Sequence, residues 1–224
     1  MTGENLTKKY PVTALILAGG KSSRFGRDKA LLEYDNRKIV ERLAAECEKV
    51  CSEVLIVSGS GQKFAFESEN IREIADFYKG AGPMGGLQAG LAAAANEICL
   101  LMACDMPFLK ADLMRLFIEQ TAEYQIVLPK NGEDIEPMFG IYRKNLLPAV
   151  EEFLTEGRRS LLNLTKRAET LCLPQAVWGQ VTAGKDVFFN INYQNDYQKL
   201  LAGEADHSRQ TDRKAFYREF LDKK

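Results

Sequence analysis

Short apolar runs of strand length alternate with segments of helical periodicity through the first half of the chain. Each run is bounded by polar or glycine-containing segments, which is typical of buried parallel strands. Strands that alternate with helices at this interval predict an α/β fold with a mostly parallel sheet and helices on both faces. The predicted strands are Val12–Leu17, Glu53–Ser58, Ile71–Ala75, Glu97–Ala103 and Gln125–Leu128, and the predicted helices are Lys38–Val50, Gly86–Asn96 and Ala111–Tyr124.

The second half of the chain has weaker patterns. Arg158 and Arg159 stand at the start of a predicted helix, where they could bind an acceptor phosphate or form a solvated basic face. The sequence after Gly203 is polar and charged, so we expect residues 204–224 to form a tail or a helical appendage. The predicted elements of this half are strands at Met138–Tyr142 and Val187–Asn192 and a helix at Gly157–Thr165.

Charge and cysteine content restrict the class of protein. The 224 residues include 30 Lys and Arg and 31 Asp and Glu, which gives a net charge of -1. Nucleic-acid binders usually carry a basic excess, so this balance argues against that class of protein. The five cysteines are odd in number and lack a paired CxxC framework, which is typical of reduced thiols in the cytosol. We find neither a signal-peptide pattern nor an apolar run of about 18 residues. These features predict a cytoplasmic protein.

A loop rich in glycines and cations follows the first predicted strand. It includes Gly19, Gly20, Arg24 and Lys29. Glycines allow backbone N–H groups to approach anionic oxygens, and cations neutralise charge that develops on a polyphosphate. The loop matches neither the P-loop nor the G-x-G-x-x-G pattern. We therefore predict a nucleoside triphosphate site of another kind, although Gly-Gly by itself would also suit a tight turn.

The motif from Leu17 to Lys29, L-A-G-G-x-S-x-R-x-G-x-x-K, resembles the signature of nucleotidyltransferases with a Rossmann-like fold. Its Ala-Gly-Gly form in a chain of this length is similar to the molybdenum cofactor guanylyltransferases. The resemblance implies a single-domain Rossmann-like fold over residues 1–203, with a nucleotide-binding half at about 10–107 and an acceptor-binding half at about 108–203. It implies catalytic roles for Arg24 and Lys29. The implied nucleotide contacts in this loop are Leu17, Ala18, Gly19, Gly20 and Lys29.

A second glycine-rich loop, Gly82–Gly86, precedes a helix predicted to begin at Leu87. Proline fixes one dihedral there, and the glycines open space for a ligand. The loop resembles the family's G-P-[LM]-x-G segment near the base and ribose, which implies nucleotide contacts from Gly85 and from the preceding Asp76. We expect Ser58, at the end of the second strand, to line the same pocket. A surface turn that caps the helix is the alternative.

Asp105 follows a buried strand in the sequence Cys-Asp-Met-Pro. Magnesium prefers one or two carboxylates together with phosphate oxygens and water. The sequence resembles the family's C-D-x-P motif, whose aspartate binds the metal. It implies that Asp105 is a catalytic residue, a contact of the nucleotide and the ligand of a Mg²⁺ cofactor. The alternative, a helix cap, is disfavoured because Asp112 lies closer to the helix start.

The acceptor side carries a looser resemblance. Glu136 stands where the family's H-P-x-x-G-L-Y stretch has histidine. Asn190 and Asn192 match the two asparagines of the F-x-N-x-N-T-P-E-D-L stretch and are the implied acceptor-binding residues. Many relatives have a metal-binding aspartate at the position of Asn190. Turn formation is the alternative for both asparagines.

The resemblance implies transfer of GMP from GTP to the phosphate of molybdopterin or molybdenum cofactor, with release of pyrophosphate. The implied partners are GTP and molybdopterin, without nucleic acid or membrane, and could include transient contacts with other cofactor-biosynthesis proteins or molybdoenzymes. Two alternatives stay open. One is a cytidylyltransferase of the same superfamily that acts on molybdopterin or another phosphate acceptor. The other is a non-catalytic nucleotide-binding protein, against which the combination of Arg24, Lys29 and Asp105 weighs.

Overall fold

A computed structural model describes residues 9–19, 29–59, 64–78, 80–182 and 186–205. Within these ranges the chain forms one eight-stranded sheet and a separate two-stranded hairpin. The strands are β1 (Tyr10–Leu17), β2 (Glu33–Tyr34), β3 (Arg37–Lys38), β4 (Cys51–Ser58), β5 (Ile71–Ala75), β6 (Ile98–Ala103), β7 (Ile126–Asn131), β8 (Asp134–Ile135), β9 (Phe139–Arg143) and β10 (Thr170–Pro174).

Helices connect most of these strands. They are α1 (Ile39–Glu48), α2 (Pro83–Ala93), α3 (Ala111–Glu119), α4 (Leu147–Thr155), α5 (Leu161–Leu164), α6 (Gln175–Trp178) and α7 (Gln194–Leu201). Short 3-10 turns occur at Lys29–Leu31, Lys144–Leu146 and Gly179–Val181. No helix of the described segments is long and apolar enough to cross a membrane.

The sheet has the order β10-β7-β9-β6-β1-β4-β5, with β8 paired to β7. β1 runs parallel to β4 and β6, and β5 runs parallel to β4, so their carboxyl ends share one edge. β9 alone among the long described strands runs antiparallel, between β6 and β7. The predicted α/β fold with a mostly parallel sheet is confirmed.

Two apolar layers cover the faces of this sheet, because alternate side chains of a strand point to opposite faces. In β1, Ala14 and Ile16 pack in one cluster with buried residues of α1 and α3. Leu15 and Leu17 pack in the other cluster with α2, α4 and α5. The central strand is therefore buried on both sides, which explains its uninterrupted apolar sequence.

A polar network lies near the amino ends of β1, β4 and β5, at the edge of the sheet opposite to their carboxyl ends. The Glu53 carboxylate accepts bonds from the Thr13 hydroxyl at 2.6 Å, the Ala95 N–H at 2.8 Å and the Arg72 guanidinium at 3.0 Å. Burial by itself would raise the pKa of Glu53, but these hydrogen bonds lower it below its ordinary value. The network joins β1, β4 and β5 to the chain between α2 and β6.

Several predicted elements need correction. The strand predicted at Val187–Asn192 is wrong, because residues 186–192 form turns and irregular chain. The helix predicted at Gly157–Thr165 is confined to α5, and α2 begins at Pro83 rather than Leu87. The first N–H group of α3, that of Ala111, donates to the carboxylate of Glu46 in α1 at 3.1 Å. The N-cap residue of α3 makes no side-chain capping bond. Most of the predicted tail, residues 206–224, lies outside the described residues.

Candidate active site

Three side chains that are distant in sequence meet beyond the carboxyl ends of β1 and β6. The Lys29 ammonium lies 3.0 Å from Oδ2 of Asp105 and donates to Oδ1 of Asn192 at 3.1 Å. The Lys29 and Asp105 side chains are 19% and 17% exposed, so they are partly shielded yet reachable from solvent. The sequence predicted Lys29 and Asp105 for one site, and the structure brings them into direct contact.

The backbone around Asp105 is held from two sides. The Cys104 N–H donates to the Leu17 carbonyl at 3.1 Å, which ties the end of β6 to the end of β1. The Ile191 N–H donates to the Asp105 carbonyl at 3.1 Å. The irregular segment before α7 is thereby fixed against the carboxyl edge of the sheet, although it is not a strand.

Asn192 is positioned by the start of α7. The Asp196 carboxylate accepts the N–H of Asn192 at 2.8 Å and the N–H of Tyr193 at 2.7 Å. Such a carboxylate satisfies backbone donors at a helix N-terminus and restrains the residues before it. Sequence reasoning missed Asp196, although its signal, an acidic residue in the first turn of a helix, was present.

The two asparagines have different contacts. Asn190 donates from Nδ2 to the carbonyl of Phe188 at 3.1 Å, a bond within its own turn. Asn192 accepts a hydrogen bond from the Lys29 ammonium, which also lies against Asp105. Of the two residues assigned to the acceptor by resemblance, Asn192 thus contacts Lys29 of the predicted catalytic residues.

The start of the first loop is described only in part. Leu17, Ala18 and Gly19 lie at the sheet edge, where the Ala18 N–H donates to the Val57 carbonyl at 2.8 Å and Gly19 is exposed. Gly20 and Arg24 lie outside the described residues.

Asp76 and Gly85 lie close together beyond the end of β5. The Asp76 N–H donates to the Ser58 carbonyl at 2.8 Å, and its Oδ1 accepts the Tyr78 N–H at 2.9 Å. A Cβ added to Gly85 would lie 3.1 Å from Oδ1 of Asp76 and 2.9 Å from Cβ of Ala81. Burial raises the pKa of the Asp76 carboxyl, and the bond from Tyr78 partly opposes that shift.

The loop before α2 has a backbone that favours glycine. Gly80 has φ +80°, and Gly82 has φ +62° with ψ −148°. Side chains rarely tolerate these conformations. The Gly82 carbonyl then accepts the N–H groups of Gly85 at 3.1 Å and Gly86 at 3.3 Å, which starts the helix.

Ser58 is fully buried, and its hydroxyl donates to the carboxylate of Glu73. Glu73 also accepts the Phe64 N–H at 2.8 Å. The hydroxyl thus has a partner within the protein. Ser58 contacts Asp76 through its backbone carbonyl, which accepts the Asp76 N–H. Glu73 was not predicted from the sequence.

Glu136 is buried in the turn that leads into β9, with 6% of its surface exposed. One of its carboxylate oxygens accepts the Met138 N–H at 3.0 Å. The Met138 carbonyl in turn accepts the Ala103 N–H at 3.1 Å, so this turn adjoins the end of β6.

The oxygens of Asp105 and Asn192 converge on a cation, the Lys29 ammonium. The described residues contain no group of three or more His, Cys, Asp or Glu that could hold a metal by themselves. One carboxylate and one amide oxygen nevertheless fit a Mg²⁺ ion that takes its other ligands from phosphate oxygens and water. The donor set therefore suits a metal that arrives with a polyphosphate.

Comparison with known proteins places this geometry in a family. The family model of MobA-like NTP transferase domains matches residues 14–170, which include Lys29, Asp76, Gly85 and Asp105. The chain is 34% identical over 190 residues to a probable molybdenum cofactor guanylyltransferase of Carboxydothermus hydrogenoformans, covering 85% of this chain and 95% of the relative. A protein of the same description from Pelotomaculum thermopropionicum is 33% identical over 187 residues, covering 84% and 90%.

A solved structure agrees in fold. The crystal structure of molybdopterin-guanine dinucleotide biosynthesis protein A from Archaeoglobus fulgidus superposes with a TM-score of 0.70 at 24% identity, covering 85% of this chain and 97% of that one. The matched segment and the identity to the two relatives, each over most of both chains, confirm the resemblance found in the motifs. The chain belongs to the family of MobA-like NTP transferase domains and is a nucleotidyltransferase.

Proposed function

We propose that this enzyme transfers GMP from GTP to the phosphate of molybdopterin or molybdenum cofactor and releases pyrophosphate. The contact of Lys29 with Asp105 and Asn192 carries the proposal. It brings together an ammonium that could bind phosphate and two side-chain oxygens that could bind a metal. The names of the similar proteins, probable molybdenum cofactor guanylyltransferases, supply the substrates.

The chemistry requires positioning more than proton transfer. An oxygen of the acceptor phosphate forms a bond to the α-phosphorus of GTP. The bond from that phosphorus to the oxygen bridging to the β-phosphate breaks, and pyrophosphate leaves with the electron pair. The acceptor phosphate is already an anion, so no general base is needed. Catalysis then consists of alignment and neutralisation of negative charge.

Each residue of the site has a task in this scheme. The Lys29 ammonium turns from Asp105 to the triphosphate and stabilises the departing pyrophosphate, and the sequence motif assigns a similar task to Arg24. Asp105, with Asn192, would hold Mg²⁺, which when bound neutralises charge on the reacting phosphates. Asn192 would lie between nucleotide and acceptor, because it contacts Lys29 and its motif assigns it to the acceptor, and the motif assigns Asn190 to the acceptor as well.

The base would bind among the backbone of Leu17–Gly19, the end of β4 near Ser58, Asp76 and the loop before α2. Guanine presents N1–H and an exocyclic amino group as adjacent donors, whereas cytosine presents an acceptor beside its amino donor. Backbone carbonyls and the Asp76 carboxylate are acceptors that pair with guanine. A wrong base would leave some of them buried without a partner.

Calorimetric titration of GTP, CTP, UTP and ATP in the presence of Mg²⁺ tests the proposal. We expect GTP to bind at least about a hundredfold more tightly than the other three, because unpaired buried acceptors penalise a mismatched base. Turnover with molybdopterin as acceptor should follow the same order. Tighter binding and faster turnover of CTP would assign the enzyme to the cytidylyltransferases. Absence of binding by every triphosphate would remove the proposed function.

A further inference from the structure

Arg159 connects the chain after α4 to the segment that precedes α2. It lies between α4 and α5, and its Nη1 donates to the carbonyl oxygen of Gly80 at 2.7 Å. Gly80 belongs to the segment that leads from Asp76 to α2. A charged donor on a neutral carbonyl is among the stronger hydrogen bonds that a protein makes.

The end of α4 directs the chain toward this contact. Gly157 has φ +76°, its N–H donates to the Leu154 carbonyl at 3.1 Å, and the Arg158 N–H donates to the Phe153 carbonyl at 2.8 Å. These bonds form a glycine-dependent helix C-cap that fixes where the following residues go.

Packing between α4 and α2 then brings the segment to the loop. Gln88 of α2 donates from Nε2 to the Glu151 carboxylate of α4 at 3.1 Å, so the two helices lie side by side. Because the loop with Gly80 precedes α2 and Arg159 follows α4, their contact depends on the same pairing of helices.

The neighbouring Arg158 makes different contacts. Its Nε lies 2.9 Å from the Glu156 carboxylate, and its guanidinium lies 5.0 Å from the centre of the Phe153 ring. Its guanidinium therefore interacts with side chains at the C-terminal end of α4. Arg158 thus provides a control of equal charge and adjacent position.

We propose that Arg159 is a positioning residue that holds the Gly80–Gly85 segment in the shape required for nucleotide binding. Gly80 and Gly82 have positive φ angles, and without a restraint these glycines would also sample other backbone conformations. The same segment places Gly85 against Asp76, so a change at Gly80 reaches the carboxylate assigned to the nucleotide. The nucleotide part of this inference rests on the proposed function, whereas the loop contact does not.

Hydrogen exchange in the absence of ligand tests the loop contact. In Arg159→Ala, amides of the peptide that covers Gly80–Gly86 should exchange about threefold faster or more, because a local restraint on an exposed segment is lost. Arg158→Ala should leave that peptide unchanged. Equal exchange in wild-type protein and Arg159→Ala would overturn the inference.

Titration with GTP and Mg²⁺ tests the consequence for binding. Arg159→Ala should bind GTP about three- to tenfold more weakly, the range for the net contribution of an ordinary hydrogen bond, because this bond is exposed and acts on the nucleotide only through the loop. Arg159→Lys should recover part of the affinity, because an ammonium can still donate to the carbonyl, and Arg158→Ala should bind as the wild type does.

The outcomes separate the two proposals. If wild-type protein binds no triphosphate, the proposed function fails and the exchange experiment alone decides on the loop contact. If wild-type protein binds GTP and Arg159→Ala binds it equally well, only this inference fails. A rise in the KM for the acceptor with unchanged GTP affinity would place Arg159 in the acceptor pocket and also overturn it.

Discussion

Lys29 and Asp105 could each be predicted from a local motif, and their contact follows from sheet topology. They lie 76 residues apart, but each follows one of two adjacent parallel strands, whose carboxyl ends share an edge. Asn192 lies 163 residues from Lys29, in a segment that the sequence predicted as a strand and that the structure shows as irregular chain. Its motif indicated the acceptor, and only the fold could reveal its bond to Lys29.

Replacement of Lys29 by methionine keeps the length of the side chain and removes its charge. We expect Lys29→Met to lower kcat at least about a hundredfold, the scale observed when one preorganised electrostatic donor is lost. Single-turnover kinetics with GTP and molybdopterin would measure the effect. Lys38→Met is the control, since the Lys38 ammonium pairs with Glu41 at 3.0 Å on another element. A Lys29→Met enzyme with unchanged kcat and only a shifted Tm would indicate a structural role.

The helix α2 shows where element prediction reaches its limit. Its sequence, Pro-Met-Gly-Gly-Leu-Gln-Ala-Gly-Leu-Ala-Ala, is apolar or small almost throughout, and residues 84–91 are buried. A helix buried on all sides lacks the polar face that would mark its start. The sequence therefore predicted the helix from Leu87, whereas Gly82 and Pro83 begin it one turn earlier.

Two glycines of α2 should respond differently to alanine. A Cβ on Gly85 would contact Ala81 and Asp76, whereas a Cβ on Gly90 would lie 2.6 Å from a terminal carbon of the fully buried Leu15. Gly85→Ala should weaken GTP binding by about tenfold, the effect of a displaced polar contact. Gly90→Ala should lower the free energy of unfolding by about 1–3 kcal/mol through overpacking.

Calorimetry and thermal unfolding of both variants would measure this difference. Gly179→Ala serves as the matched control, because its Cβ would meet only Cγ of Gln175 at an ordinary 3.6 Å. Normal GTP affinity in Gly85→Ala, or unchanged stability in Gly90→Ala, would contradict the packing argument for that position.

For the molecule as a whole, the alternation of strands and helices predicted the fold class, and it predicted the sheet edge at which Lys29 and Asp105 meet. It could not predict the direction of β9. A strand buried on both faces has the same apolar pattern whether it runs parallel or antiparallel. The antiparallel insertion of β9 between β6 and β7 places the Glu136 turn beside the end of β6.

The ion pair of Lys29 with Asp105 has a consequence for the order of binding. With a net charge of -1, the whole chain offers little general attraction for a divalent cation, so metal capture must be local. At the site, a tethered ammonium already serves as the counter-ion of Asp105. Under the proposed function, free magnesium would have to compete with this ammonium, whereas a triphosphate would attract the ammonium away from Asp105 and bring magnesium with it. Nucleotide and metal should therefore bind cooperatively.

Manganese binding to the nucleotide-free enzyme, followed by electron paramagnetic resonance, measures this competition. Lys29→Met should bind Mn²⁺ at least about tenfold more tightly than wild-type protein, which corresponds to a coupling of about 1.4 kcal/mol. Asp105→Asn added to that variant should abolish the gain. Equal Mn²⁺ affinity in wild-type protein and Lys29→Met would show that the Lys29 ammonium does not compete with metal for the Asp105 carboxylate. If the Mn²⁺ affinity rises as expected, the lysine proposed to act in catalysis also keeps the nucleotide-free enzyme from binding metal before its nucleotide.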